Sequence, residues 1–391
     1  MLLDLMKRTF CALFGLCLAS GTASALDIQI HYLRQEVPPV ATLSELDVAP
    51  EDLGLAGARL GLDDNATTGR FLEQNYTLET TWVARDGDWP AAVDAALAQT
   101  GLLVIDAPQA ALLDAADRAA DAGALVFNVA ATDVALRDGD CRANLLHTIP
   151  SRAMLSDALV QLLVQRRWRD LALITGPHPG DIAFAAAIEA SVHKFGLEIG
   201  SRADWTLQAD LRRSASTEIA ALTQSLGEFD VVIAADEVRD FGRYLLYNTW
   251  LPRPVVGSEG LVPSAWSPVI EQWGAIQLQN RFRDLAGRSM EDIDYAAWAA
   301  VRSIGEAVTR SGDEDPAAIR AYLLSDGFEL AGFKGTPLTF RTWNGQLRQP
   351  IALSHPRGLT AQAPLDGFLH QANPLDTLGL DVSETTCTAF Q

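Results

Sequence analysis

The sequence predicts an α/β chain made of two doubly wound units, each a parallel sheet with helices on both faces. Three observations lead there. Short continuous apolar runs, such as Leu102–Ile105, Leu171–Thr175 and Asp230–Ala235, are the signature of strands buried on both faces. Helical segments alternate with these runs along most of the chain. At 391 residues the chain is also too long for a single core, which points to two domains.

In order, Ile28–Leu33 reads as the first strand, and Gln35–Pro50, with three prolines and no period, as a loop. Asp52–Asn65 spaces Leu53, Ala56, Leu60 and Leu62 as one helix face. Tyr76–Ala84 alternates as a strand. Trp89–Gln99 follows as a helix, with Asp88 as its cap and Pro90 in its first turn. Strand Leu102–Ile105, an alanine-rich helix Pro108–Ala122 ended by Gly123, and strand Ala124–Val129 complete the first unit. After Pro150, Ser151 caps helix Ala153–Arg167. Strand Leu171–Thr175, helix Ile182–Phe195 and strand Leu197–Trp205 come next. Helix Thr217–Leu226, strand Asp230–Ala235, helix Val238–Asn248 and a strand starting at Val255 continue the alternation. Beyond Trp273 the order loosens: Ala275–Leu278 reads as a strand, and Tyr295–Thr309 and Pro316–Leu324 as helices. Leu338–Phe340 and Pro350–Leu353 read as a hairpin around Trp343-Asn344-Gly345, because Asn-Gly favours a tight turn. The segment from His355 onward reads as irregular.

The start of the chain has the form of an export signal. Lys7 and Arg8 precede an apolar run, Phe10–Ala19, and Ala23-Ser24-Ala25 is a small-x-small cleavage pattern. Removing 25 of the 391 residues leaves about 366, beginning near Leu26 and located in the periplasm. No later stretch offers 18 continuous apolar residues, so no membrane insertion is expected. Formal charge is −20, which repels nucleic acid and anionic lipid. Past the leader only Lys194 and Lys334 remain as lysines, which reads as composition rather than function. Cys11 and Cys17 lie in the leader; Cys141 and Cys387 remain. In an oxidising compartment two cysteines most simply form one disulfide, the alternative being two free thiols.

Catalytic signatures are missing. The six histidines show no two-histidine zinc spacing, and there is no Cys-x-x-Cys, nucleophile elbow, phosphate loop or dinucleotide fingerprint. The acidic groups Asp63-Asp64, Asp236-Glu237 and Glu291–Asp294 lack the spacing of a calcium loop and read as solvated faces. The expectation is a non-enzyme with no cofactor, no metal and no catalytic residue.

Gly101–Leu136, "GLLVIDAPQAALLDAADRAADAGALVFNVAATDVAL", resembles the core of the leucine/isoleucine/valine-type periplasmic binding proteins of ABC transporters. In that family a strand leads to a ligand loop, and a later Ala-Thr loop is matched here by Ala131-Thr132. "HTIPSRAMLSDAL" resembles the passage into the second lobe, and "DVVIAADE", "PVVGSEGL" and "GTPLTFRTWNGQL" follow in the family's order. The cysteine in "CRANLLHTIPSRAML" and the one near the C-terminus are similar to a narrower branch, described as the substrate-binding component of a PQQ-dependent alcohol dehydrogenase system. That implies a neighbourhood in periplasmic alcohol oxidation, not that the chain binds PQQ or oxidises anything.

The resemblance implies the type I periplasmic binding fold, with two lobes joined by three crossings near Pro150, between Gly257 and Gly274, and near Gly332–Trp343. Lobe one is then 27–149 plus 272–332, lobe two 150–258 plus 333–370, and 371–391 a tail tied by a Cys141–Cys387 disulfide. It implies a monomer that binds a small-molecule ligand by hinge closure and presents it to an inner-membrane ABC permease. The alternative is a sensor or accessory protein of an alcohol dehydrogenase system with no transport role.

The ligand residues implied by the resemblance are Ala107, Gln109, Ala130, Thr132, His178, Asp181, Glu237 and Glu259. Thr132 matches the family's threonine and Glu259 its acid, while Ala130 presents backbone. Departures stand beside these matches. Ala107 and Pro108 replace a serine hydroxyl, Arg34, Gln35 and Glu36 replace a glycine-rich loop, and His178, Gly180 and Asp181 replace an aromatic position. A weakened carboxylate clamp points away from a plain aliphatic amino acid, toward a cationic, polyhydroxy or metal-bearing ligand. The bland alternatives are a turn cap for Thr132, a surface acid for Glu259, and loop and helix-cap roles for His178 and Asp181. Trp250, Trp266 and Trp273 read as interlobe packing.

Overall fold

The computed structural model describes residues 25–38, 48–206 and 211–391. Residues 1–24, where an export leader is expected, and residues 39–47 of the proline-rich loop lie outside them. The first lobe is laid down as β1 (Leu26–Gln35), α1 (Leu55–Leu72), β2 (Gln74–Val83), α2 (Trp89–Leu97), β3 (Leu102–Asp106), α3 (Gln109–Asp121), β4 (Leu125–Asn128) and β5 (Leu145–His147). All five strands are parallel in the order β2-β1-β3-β4-β5. The expected cap at Asp88 is present, its side chain accepting from Ala91 N.

The second lobe runs α4 (Arg152–Arg166), β6 (Leu171–Thr175), α5 (Pro179–Lys194), β7 (Ile199–Asp204), α6 (Leu211–Ser225), β8 (Val231–Ala235), α7 (Gly242–Leu245), β9 (Val255–Gly257) and β10 (Val262–Ser264). Its sheet is parallel in the order β7-β6-β8-β9. Ser151 caps α4 by accepting from Met154 N.

The chain then returns to the first lobe with α8 (Ala275–Ala286), α9 (Asp292–Ser311), α10 (Pro316–Leu323), β11 (Leu330–Ala331), β12 (Pro337–Phe340) and β13 (Leu347–Arg348), and ends in the second lobe with β14 (Ile351–His355) and β15 (Gly358–Ala363). Strands β10, β14 and β15 form an antiparallel sheet. Leu338, Phe340 and Leu347 pack with the first lobe's core, and in β14 Ile351 and Leu353 face the second's while Ala352 still faces the first. The third passage between cores therefore follows Leu347.

Three expectations are corrected. Ala275–Leu278 begins a helix, not a strand: Ala275, Leu278 and Phe282 carry a helical period into one buried stripe, and Gly274 supplies the left-handed entry at φ +81°. The helix expected over Val238–Asn248 shrinks to the four residues of α7. Asp236 takes the amides of Asp240, Phe241 and Gly242, and Arg239 sits at φ +60°, so no helix can begin before them. Only half of the expected hairpin forms, because β13 pairs with β12 while Ile351 onward joins β10 and β15. The segment after His355 is also less irregular than expected, since it contains β15.

Two acidic groups read as solvated are also corrected. Asp236 is 1% exposed and Asp294 0% exposed. Each is buried because its carboxylate satisfies backbone amides: Asp294 accepts from Gly54 N and Glu291 N and pairs with Arg288. Trp266 does pack, stacked on Tyr295 at 5.0 Å between centroids, whereas Trp250 is 56% exposed. Among the described residues no helix is long and apolar enough to cross a membrane.

Candidate functional site

In doubly wound sheets the usable concavity lies beyond the carboxyl ends of the strands. Here that region holds a cleft of about 720 Å³. Its walls are the ends of β1 (Arg34, Gln35) and β3 (Asp106), the turn Ala107-Pro108 with the start of α3 (Gln109, Ala110, Leu113), and the loop Ala130–Asp133 after β4. Val37, Ala49 and Leu53 before α1, Ile293 in α9 and Arg152 at the start of α4 complete it. A smaller, adjoining hollow of about 310 Å³ shares Thr132 and adds Asp236, Glu237, Arg239 and Ser258 from the second lobe.

Of the residues read from the sequence, Ala107, Gln109, Ala130 and Thr132 line the main cleft, and Glu237 with Thr132 lines the adjoining hollow. His178, Asp181 and Glu259 line neither. Asp181 is buried at the start of α5, where its carboxylate accepts from His178 N (3.1 Å) and Glu237 N (2.6 Å). His178 is the residue that caps α5. These two therefore shape the loop that carries Glu237. Glu259 accepts from its own neighbour, Gly260 N, and packs beside Gly242.

Two residues the sequence reading did not single out, Arg152 and Asp106, dominate the polar chemistry. Arg152 donates from Nη1 to Asp133 Oδ1 (3.0 Å), and from Nε and Nη2 to Glu237 Oε1 and Oε2 (2.8 and 2.7 Å). The fork geometry is that of a guanidinium holding a carboxylate. It ties the first lobe's Ala130–Asp133 loop to the second lobe's β8–α7 turn through one side chain. Burial opposes the Arg152 charge, but Glu237 and Asp133 outweigh it and raise its pKa. The main signal in the sequence was position: Arg152 directly follows the helix cap at the crossing, and Asp133 directly follows Thr132.

Asp106 closes β3, where an apolar run ends in one acid. Burial drives its carboxyl up to about 6, against the pull of Arg34 (Nε to Oδ2, 3.4 Å) and the Tyr32 hydroxyl (3.2 Å). Arg34 is held in place by the carbonyls of Glu51 and Leu53 and lies 4.8 Å from the Trp82 ring centre. A carboxyl with a raised folded pKa keeps its proton at pH values where the unfolded chain has lost it. Its contribution therefore favours the fold at low pH and is lost as pH rises from about 3.8 to about 6. Asp106→Asn removes that contribution. Urea unfolding should then show the variant gaining on the wild type between pH 4 and pH 6.5, with no further change above; a stability difference independent of pH would contradict it.

Two amides of the loop expected to offer backbone donors are already taken. Asn128 Oδ1 accepts from Ala130 N (3.2 Å) and Ala131 N (2.9 Å), while its Nδ2 donates to Ala131 O (2.8 Å). Pro108 has no N–H, and Ala107 has no hydroxyl. Gln109 donates to Asp140 Oδ2 (3.0 Å). Below the loop, Arg137 is 2% exposed and donates to Ala131 O, Asp133 O, Ile149 O and Gln346 Oε1 at 2.8–3.1 Å. Burial pushes its pKa down to about 9, so it stays charged at neutral pH. Among the described residues no group of three His, Cys, Asp or Glu side chains could hold a metal ion.

The two-lobed arrangement is shared with solved structures. A branched-chain amino acid ABC transporter periplasmic ligand-binding protein from Burkholderia xenovorans LB400 is 16% identical; the alignment covers 93% of this chain and 100% of that one, with a TM-score of 0.68. A leucine-, isoleucine-, valine-, threonine- and alanine-binding protein from Brucella ovis, in a closed conformation, is 13% identical over 84% of this chain and 89% of that one, with a TM-score of 0.66. An ABC transporter substrate-binding protein from Desulfitobacterium hafniense in complex with Leu is 16% identical over 85% and 99%, with a TM-score of 0.62. No family model and no curated protein matches the chain. At these identities the likeness defines the fold, that of the type I periplasmic binding proteins.

Proposed function

We propose that the chain is a periplasmic solute receptor, the binding component of an ABC transporter. It closes around a small molecule in the cleft and presents it to an inner-membrane permease, with no bond chemistry. The observation that carries this reading is the cleft itself, walled by strand ends of one lobe and bridged to the other by Arg152. The leader read from the sequence supports export. The division proposed is residues 27–149 with 272–347 as one lobe, 150–258 with 351–370 as the other, and 371–391 as a tail.

The solved neighbours described as amino acid receptors do not pass their ligand to this chain. The amides of Ala130 and Ala131 are occupied, Pro108 offers no donor, and Arg152 already holds two carboxylates. A leucine carboxylate would have to break these contacts. The remaining cleft charges pair within the wall, Arg34 with Asp106 and Arg152 with Asp133 and Glu237. That balance favours an uncharged, hydroxyl-bearing solute over a cationic or metal-bearing one. A place beside PQQ-dependent alcohol oxidation is compatible with such a ligand; it rests on the resemblance of the segments around Cys141 and Cys387.

Native mass spectrometry of gently purified protein should reveal a bound solute without a free α-amino acid group, and adding that solute should decrease the scattering radius. Leucine should give no binding heat at micromolar concentration. Tight leucine binding would overturn the ligand reading, and a radius unmoved by any bound solute would overturn the receptor reading.

A further inference from the structure

The C-terminal tail makes contacts that neither the sheets nor the cleft require. It leaves β15 on the second lobe and fastens both there and on the β12–β13 segment. Asp376 Oδ1 accepts from Arg341 Nε (3.0 Å) and Arg348 Nε (2.7 Å), and Leu378 is fully buried in the second core. Asp157 of α4 accepts from Gly379 N (2.8 Å). Lys194, at the end of α5, gathers Asp157 Oδ2, Gly379 O and Glu384 Oε2 at 2.8–3.1 Å.

From Thr385 onward the tail grips the first lobe. Thr385 Oγ1 donates to Arg137 O (2.9 Å), and Thr386 donates from N and Oγ1 to Asp138 Oδ1 (2.5 and 2.8 Å). Cys387 is bonded to Cys141, and the Phe390 ring lies 5.4 Å from the Arg320 guanidinium. Two of the residues it touches reach the crossings. Arg137 reaches Ile149 O on the first passage and Gln346 just before the third. Arg341 belongs to the segment leading into the third passage and also donates to Leu375 O and Leu378 O.

We infer that residues 375–390 form a strap, a fourth connection between the lobes, closed covalently by Cys141–Cys387, that restricts how far the lobes can open. Hinge closure in this fold turns on three peptide passages. A fourth link beside them, fixed at Lys194 on one lobe and at Cys141 on the other, narrows the range of unliganded states. A narrower open ensemble lies nearer the closed state, so less binding energy is used in closing and apparent affinity rises. The strap also gives the disulfide a role other than stability, since an oxidising compartment sets the receptor's opening range.

The test needs no ligand, so it stands or falls separately from the receptor reading. In the Cys141→Ser/Cys387→Ser double variant, the ligand-free scattering radius should increase. Amide exchange across residues 147–152 and 341–349 should speed up on the order of tenfold, the hinge opening more easily. Lys194→Met, which leaves the disulfide intact and frees the other anchor, should move both readouts in the same direction. If the double variant does not fold, wild-type protein reduced with dithiothreitol and capped with iodoacetamide replaces it. Exchange confined to 385–391, with hinge amides and radius unchanged, would overturn the strap and leave the tail a passive cover.

Discussion

Replacing Arg137 with methionine is expected to destabilise the protein by about 2–4 kcal/mol and to loosen the hinge at the same time. Methionine fills similar volume, so little of the loss comes from a cavity. What disappears is a charged donor shared by four acceptors on three segments: the Ala130–Asp133 loop, the first passage and the β12–β13 turn. Hydrogen bonds to charged groups contribute roughly 1.5–3 kcal/mol each, and an orphaned buried acceptor costs about 1–3. The full sum is not expected, for two reasons. Ala131 O keeps Asn128 as a donor, and Ile149 O keeps Gln346. Removing a guanidinium that burial disfavours also returns some stability. Asp133 O and Gln346 Oε1 then carry most of the cost. Arg137→Lys should recover little, because one ammonium cannot reach all three segments as a planar fork does. Denaturant unfolding of the two variants settles it; methionine within about 0.5 kcal/mol of the wild type would mean the knot is ornamental.

The parts of the fold that the sequence made legible share one physical cause. β3, β6 and β8 are buried on both faces, so each is an unbroken apolar run that nothing else explains as well. β5 is hard to read because three residues carry no period, and β15 because its burial is partial and the Pro356-Arg357 turn that joins it to β14 is not an Asn-Gly-type signal. α8 was misread because four residues cannot separate a strand from a helix; its stripe shows only when Phe282 is included.

At the site, the order of motifs located Ala107, Ala130 and Thr132 on the cleft wall. Composition could not say which acids face a ligand. Asp181 and Asp236 look available in the sequence, yet each satisfies amides of its own loop. The spacing from His178 to Asp181 was the readable sign, being that of a capping box. Arg152 carries no local sign of its role, because its importance depends on Glu237, 85 residues away. Lys194 and Lys334 read as residue usage alone. In the fold Lys194 holds the strap, and Lys334 is buried beside the third passage, donating to Gln349 Oε1 and Pro350 O.

Gly57→Val is expected to cost more than any exposed substitution in the chain, above about 4 kcal/mol, or to prevent folding outright. A Cβ at Gly57 would lie 1.9 Å from Asp294 O and 2.6 Å from its carbonyl carbon. The obstacle is backbone, so no rotamer change relieves it; α1 and α9 would have to separate. Gly61, one turn on, faces Trp298 O at 3.0 Å, so the two glycines form the contact along which the helices meet. The site depends on that contact. Gly54 N donates to Asp294 Oδ1 (2.8 Å), while Leu53 and Ile293, each one residue outward, line the cleft. Gly123→Ala supplies the comparison: φ there is +70°, but nothing lies within 4 Å of its added Cβ. That change should cost only the left-handed penalty of roughly 1–2 kcal/mol. Even Gly57→Ala should exceed it clearly in thermal unfolding. If Gly57→Ala melted no lower than Gly123→Ala, the close approach of α1 and α9 would not be what positions this wall of the cleft.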